Sequence, residues 1–126
     1  MSKRFQKLTQ SLASAGIDAI ALNPGPTLTY LTGMSYGIME RPIVLLANTH
    51  GEAALVLPEL EMLKVEKSAI PLKPFPYNDN PATWTTAFLQ ACRFLSLDNA
   101  TIGLEPTRFR VLELRFMEEV VPNASF

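Results

Sequence analysis

The 126 residues suit one domain, and a hydrophobic content of 48% excludes a disordered chain. Eleven Lys and Arg against twelve Asp and Glu give a net charge of −1, without the basic excess that phosphate neutralisation needs, so no nucleic-acid partner is expected. One cysteine and one histidine exclude a disulfide framework and a multi-cysteine zinc site. No apolar run reaches membrane-span length, and the charged start MSKRFQKLTQSLASAG lacks the apolar stretch of a secretory signal.

Residues 3–15 read as an amphipathic helix with Phe5, Leu8, Leu12 and Ala15 on one stripe, ended by Gly16. The apolar run 18–22 suits a buried strand. Asn23-Pro24-Gly25-Pro26 is a turn opening a short helix through Leu31, closed by Gly33. Residues 34–42 form a connector more apolar than a solvated loop needs. The runs 43–47 and 53–57, joined by Asn48-Thr49-His50-Gly51-Glu52, predict an antiparallel hairpin. Pro58 starts a short amphipathic helix over 59–67. Residues 70–75 read as a strand that Pro71 and Pro74 confine to an edge.

Residues 77–80 are a polar loop. Asn80 and Pro81 then suit the N-cap and first turn of a helix to about Leu95, with Trp84, Phe88, Ala91 and Leu95 inward. Residues 100–104 form a strand. Residues 106–120 form a last helix with Phe109, Leu112, Phe116 and Val120 inward, stopped by Pro122. Ala124-Ser125-Phe126 reads as the start of another strand, so the chain is expected to be cut from something longer. The alternation predicts one α/β domain over 1–126, a three-layer mixed sheet with helices on both faces. Charged residues at only 18% hint at a surface covered by a partner.

Chemistry-bearing residues are sparse. His50 lies in the hairpin turn without a second imidazole and reads as an exposed turn residue. Cys92 lies mid-helix, away from any base or helix N-terminus, and reads as a packed thiol. Asn78-Asp79-Asn80 lacks the glycine and late glutamate of a calcium loop and reads as turn plus N-cap. Asn23-Pro24-Gly25-Pro26-Thr27 occupies the place of a phosphate loop, but its prolines remove donors and no Lys-Ser/Thr follows. A flavodoxin-like ligand binder using that loop is the weakest alternative. Glu59 and Glu61, two apart, face different ways and do not form an acid–base pair. One segment remains, Tyr36-Gly37-Ile38-Met39-Glu40-Arg41-Pro42. Arg41 either pairs with Glu40 or a neighbouring element, or holds a ligand carboxylate through a bidentate contact.

Four phrases, in order, resemble the N-terminal domain of the creatinase/prolidase family of Xaa-Pro peptidases. They are Ala15-Gly16-Ile17-Asp18-Ala19, Tyr30-Leu31-Thr32-Gly33, Leu55-Val56-Leu57-Pro58-Glu59-Leu60-Glu61 and Ile102-Gly103-Leu104-Glu105. Together they span nearly the whole chain, and Glu40-Arg41-Pro42 is similar to one branch of the family. The resemblance implies a ribonuclease-H-like α/β fold that serves in oligomerisation and narrows a neighbouring active site to short peptides. It makes Tyr36 and Arg41 candidate substrate-binding residues. It also implies a separate C-terminal catalytic domain, cytoplasmic, with two divalent metal ions (Mn, Co or Zn) held by two Asp, one His and two Glu. No residue here matches those ligands, so no catalytic residue, cofactor or metal is expected in this chain. The expected partners are that catalytic domain, a second copy of the protein and a short peptide. The alternative is a stand-alone binding or assembly module of the same fold without hydrolase activity.

Overall fold

The computed structural model describes residues 3–37 and 40–126; Ile38 and Met39, inside the connector singled out by sequence, lie outside the described residues. Five strands, β1 (Ala19–Leu22), β2 (Val44–Asn48), β3 (Ala53–Pro58), β4 (Lys73–Tyr77) and β5 (Ile102–Leu104), form one sheet in the order β4-β3-β2-β1-β5. The sheet is mixed, as expected. β2 runs antiparallel to β1 and β3, whereas β1–β5 and β3–β4 are parallel.

Burial on both faces explains why the central strands lack polar alternation. Val44 and Leu46 face one core together with Phe88, Ala91 and Cys92 of α3 (Pro81–Phe94) and Met117 of α4 (Val111–Val120). Leu45 and Ala47 face the other, with Phe5 of α1 (Lys3–Ser14) and Leu28 and Leu31 of α2 (Pro26–Thr32). The hairpin between β2 and β3 and the Asn80 cap are present, the Asn80 side chain accepting a hydrogen bond from the Ala82 N–H at 3.1 Å. Gly33 closes α2 in the left-handed region, φ 74°, where a Cβ would be strained.

Several expectations shift. The fourth strand is Lys73–Tyr77 rather than 70–75. Ile70 is drawn into the core beneath β2 and β3, and the strand begins only where Phe75 and Tyr77 can alternate inward on the opposite face. Pro74 and Pro76 lie two apart and so lack donors on one side only, the free edge, while the other side pairs with β3. Ala15 is exposed, outside the buried stripe of α1. The segment Glu59–Lys67 is a 3₁₀ helix with no buried residue.

The last helix starts at Val111, not 106. The N–H groups of Arg108 and Phe109 both donate to the Glu105 carbonyl, at 3.0 and 2.8 Å, which winds the chain into turns first. Its inward residues are Glu113 and Met117, with Phe116 and Val120 half-buried and Leu112 partly exposed. The ion pair described below pulls Glu113 in and rotates the stripe. At the end of the chain Ser125 bridges Thr101 in parallel, as a strand start should.

Ser96 adopts φ 57° just after α3, while the Leu97 N–H reaches back to the Cys92 carbonyl at 3.0 Å. This is a left-handed helix stop carrying a side chain where glycine is favoured. Ser96→Gly is expected to raise stability by about 0.5–1 kcal/mol, read from the denaturation midpoint at unchanged slope. An unchanged or lowered midpoint contradicts the strain.

Candidate functional site

In an α/β sheet the carboxyl ends of parallel strands leave a rim on which loops converge. Here the ends of β1, β3, β4 and β5 meet the start of antiparallel β2 on one edge. Asn23, directly after β1, is buried, and its amide ties the rim together. Its Nδ2 donates to the Ile43 carbonyl at 3.0 Å and its Oδ1 accepts from the Arg110 N–H at 2.7 Å. From the other side the Tyr77 hydroxyl, at the end of β4, donates to the Pro42 carbonyl at 2.5 Å. Two consecutive carbonyls are thus pinned from opposite sides, which fixes the backbone that presents Arg41.

Arg41 Nη2 lies 2.6 Å from Asp79 Oδ1, with 34% of the Arg41 side chain and 80% of the Asp79 side chain exposed. The partner is therefore a neighbouring element, the loop after β4, and not Glu40. A depression of about 120 Å³ lies beside the pair, bordered by Glu59, Leu60, Tyr77 and Asn78. An exposed ion pair of this kind contributes only about 0–1 kcal/mol, so a ligand carboxylate can compete for the guanidinium.

Tyr36 has different surroundings. It is buried, its hydroxyl 3.7 Å from Met34 Sδ, and Lys64 Nζ sits 4.9 Å from its ring centre while donating to the Ser35 carbonyl at 3.1 Å. Burial, and secondarily the charge of Glu61, pushes its phenol up to about 12. The structure thus places Arg41 on the rim and Tyr36 in the core that supports the connector.

The rim holds groups that sequence reading passed over. Glu113 is fully buried and held by Arg110 through an Nε–Oε1 bond of 2.9 Å and a second bond from Nη2 to Oε2. Their three-residue spacing on a helix was the available signal. The Thr27 hydroxyl donates to Glu105 Oε2 at 2.7 Å, joining the starts of two distant segments. Asp79, Asn23 and Tyr77 carried no such signal, because their partners are far away in sequence.

The remaining candidates stand where the residues suggested. His50 is exposed in the hairpin turn, its N–H bonded to Asn48 Oδ1 at 3.0 Å. Cys92 is buried, 3.9 Å from Met117 Sδ, and burial, aided by Asp98, pushes its thiol up to about 12. Among the described residues no group of three or more His, Cys, Asp or Glu could hold a metal ion, and no helix is long and apolar enough to cross a membrane.

Burial also raises the Tyr77 phenol, which the charges of Arg41 and Arg110 only partly offset. A phenol raised in the folded state ionises first in the unfolded chain. Stability is therefore full below the ordinary value of 10 and falls as pH rises toward 12, through the raised value of Tyr36. Urea denaturation across that interval checks this; constant stability up to pH 12 contradicts it.

The chain matches the Creatinase/Prolidase N-terminal domain family over residues 4–126. No curated protein matches it by sequence. Solved structures share its fold. The N-terminal domain of an Xaa-Pro dipeptidase from Lactobacillus brevis superposes with a TM-score of 0.84 at 18% identity, over 98% of this chain and 92% of that one. A proline dipeptidase from Streptococcus pneumoniae gives 0.81 at 24% identity, over 100% and 90%. A dipeptidase from Pyrococcus horikoshii gives 0.81 at 22% identity, over 98% of this chain but 33% of that one, so this chain spans about a third of that protein.

Proposed function

The chain belongs to the creatinase/prolidase N-terminal domain family, and on that premise we propose that it is the non-catalytic N-terminal domain of a cytoplasmic, metal-dependent Xaa-Pro peptidase-like hydrolase, serving in oligomerisation and substrate gating. The observation that carries the gating part is the Arg41–Asp79 pair, a partly exposed guanidinium on the rim held by a competitor that is itself mostly solvated. Arg41 meets the terminal carboxylate of a short peptide, exchanging one carboxylate partner for another. Tyr36 acts with it from beneath, holding the connector through the core.

On this reading bond cleavage belongs to a separate catalytic domain, where two divalent ions (Mn, Co or Zn) would supply the activated water. The described residues offer no group of three or more His, Cys, Asp or Glu that could hold those ions. Pinning of Pro42 and Ile43 matters because a guanidinium misplaced by an ångström loses its bidentate geometry.

In the full-length enzyme Arg41→Ala is expected to raise KM for dipeptides about tenfold, and for longer peptides much less, since their carboxylates lie beyond the rim. Asp79→Asn, which removes the competitor, is expected to lower the dipeptide KM by up to about fivefold. Equal effects of Arg41→Ala on both substrate lengths, or a dipeptide KM raised by Asp79→Asn, would contradict this role.

A further inference from the structure

The 3₁₀ helix Glu59–Lys67 runs for nine residues, longer than such helices usually persist, and buries none of them. Met62 and Val65 lean on the core only in part, so core packing does not account for it. Its hydrogen bonds reach the connector after α2 instead. Just past its last turn the Ala69 N–H donates to the carbonyl of buried Thr32 at 2.7 Å. The Met34 N–H turns back to the Thr32 hydroxyl at 3.1 Å. Lys64 Nζ then takes the next stretch, donating to the Ser35 carbonyl and lying 4.9 Å from the centre of the Tyr36 ring. At the other end of the helix, Glu59 and Leu60 border the depression beside Arg41. A 3₁₀ helix of this length spans about 16 Å at about 2 Å per residue. It thus accompanies the connector from its start to the Arg41 depression.

The position of Lys64 follows from the helix type. At three residues per turn, side chains three apart eclipse, so Glu61 and Lys64 stand on one line. Glu61 Oε2 lies 3.6 Å from Lys64 Nζ, and its charge also acts on the Tyr36 phenol, so this line faces the connector. A lysine on an exposed helix ordinarily turns its ammonium to water. Here one ammonium meets a carboxylate, a carbonyl and a ring face, although 47% of the side chain is still exposed. A depression of about 210 Å³ lies between the last turn, at Lys64 and Lys67, and residues Gly33, Met34 and Ser35. That space is left open rather than packed, so Lys64 makes the connection across it.

We propose that the 3₁₀ helix is a strut for the connector that carries Arg41, and that Lys64 is the positioning residue coupling the two. The connector is then held at both ends. Lys64 fixes Ser35 and Tyr36 at its start, while Tyr77 and Asn23 fix Pro42 and Ile43 at its finish. The consequence for substrate rests on the gating reading above; the strut itself does not.

Amide hydrogen exchange of the 126-residue chain, read by NMR, tests the strut. Lys64→Met keeps the aliphatic stem and removes the donors and the charge. It is expected to speed exchange of the Met34 and Ala69 amides about tenfold. The Leu45 amide, in the middle of β2, is expected to keep its wild-type rate. Lys64→Arg, which restores a donor and a cation over the ring, is expected to return both amides to within about twofold of wild type. Unchanged exchange at Met34 and Ala69 in Lys64→Met overturns the strut. An equal rise at Leu45 is global loosening and overturns it too, as does failure of the arginine to rescue. In the full-length enzyme Lys64→Met is expected to raise the dipeptide KM about threefold at unchanged kcat. Faster local exchange without that change in KM leaves the strut standing and contradicts the gating reading.

Discussion

One buried amide organises the functional edge of this domain. Asn23 follows β1 and is buried from solvent, and its two polar atoms are met by the Ile43 carbonyl and the Arg110 N–H. Removing such a group leaves buried partners unpaired, at about 1–3 kcal/mol. More follows from its position than from its energy. β2 enters the sheet antiparallel to β1, so its first residues lie at the end of the sheet where β1 finishes. Asn23 holds that entry from one side and Tyr77 from the other. The entry of β2 and the start of α4 thus share one anchor, and the backbone before Pro42 has little freedom to carry Arg41 elsewhere.

The same edge mixes tight and loose electrostatics. In the Arg110–Glu113 pair the carboxylate is fully buried and forked by a partly exposed guanidinium, so breaking it would strand a buried charge. The Arg41–Asp79 pair opens to solvent through Asp79 and can exchange. The first pair sets the rotation of α4; the second leaves a cation available above a rigid base. At the sheet margins the division is also unequal. Pro74 and Pro76 strip donors from the free side of β4 and discourage pairing there, whereas the β5 side already accepts Ser125.

Much of this architecture was legible in the residues. The two-sided apolar runs, the glycine-bearing hairpin turn, the Asn80-Pro81 helix start and the four family phrases all concern local spacing, and the fold follows them. The errors arose where distant contacts overrule local pattern. Residues 70–75 have strand composition, but the core beneath β2 and β3 takes Ile70 and delays the strand to Lys73. Phe109, Phe116 and Val120 do pack against the core, but Leu112 is left partly exposed, because Arg110 draws Glu113 inside. Arg41 could be singled out from its setting, yet Asp79, thirty-eight positions later, could not be named as its partner. The 3₁₀ geometry that aligns Glu61 with Lys64 has no sequence signature distinct from a short α-helix.

In the proposed reading the domain shapes access to chemistry performed elsewhere. Its rim offers an exchangeable guanidinium on a pinned backbone, and its described residues converge on no metal-ligand set. The most direct test is to read the natural coding sequence around these 126 residues. The expected result is a catalytic-domain length of further sequence that carries the two Asp, one His and two Glu of the metal site. A coding sequence without that set would contradict the hydrolase reading and leave a binding module in its place.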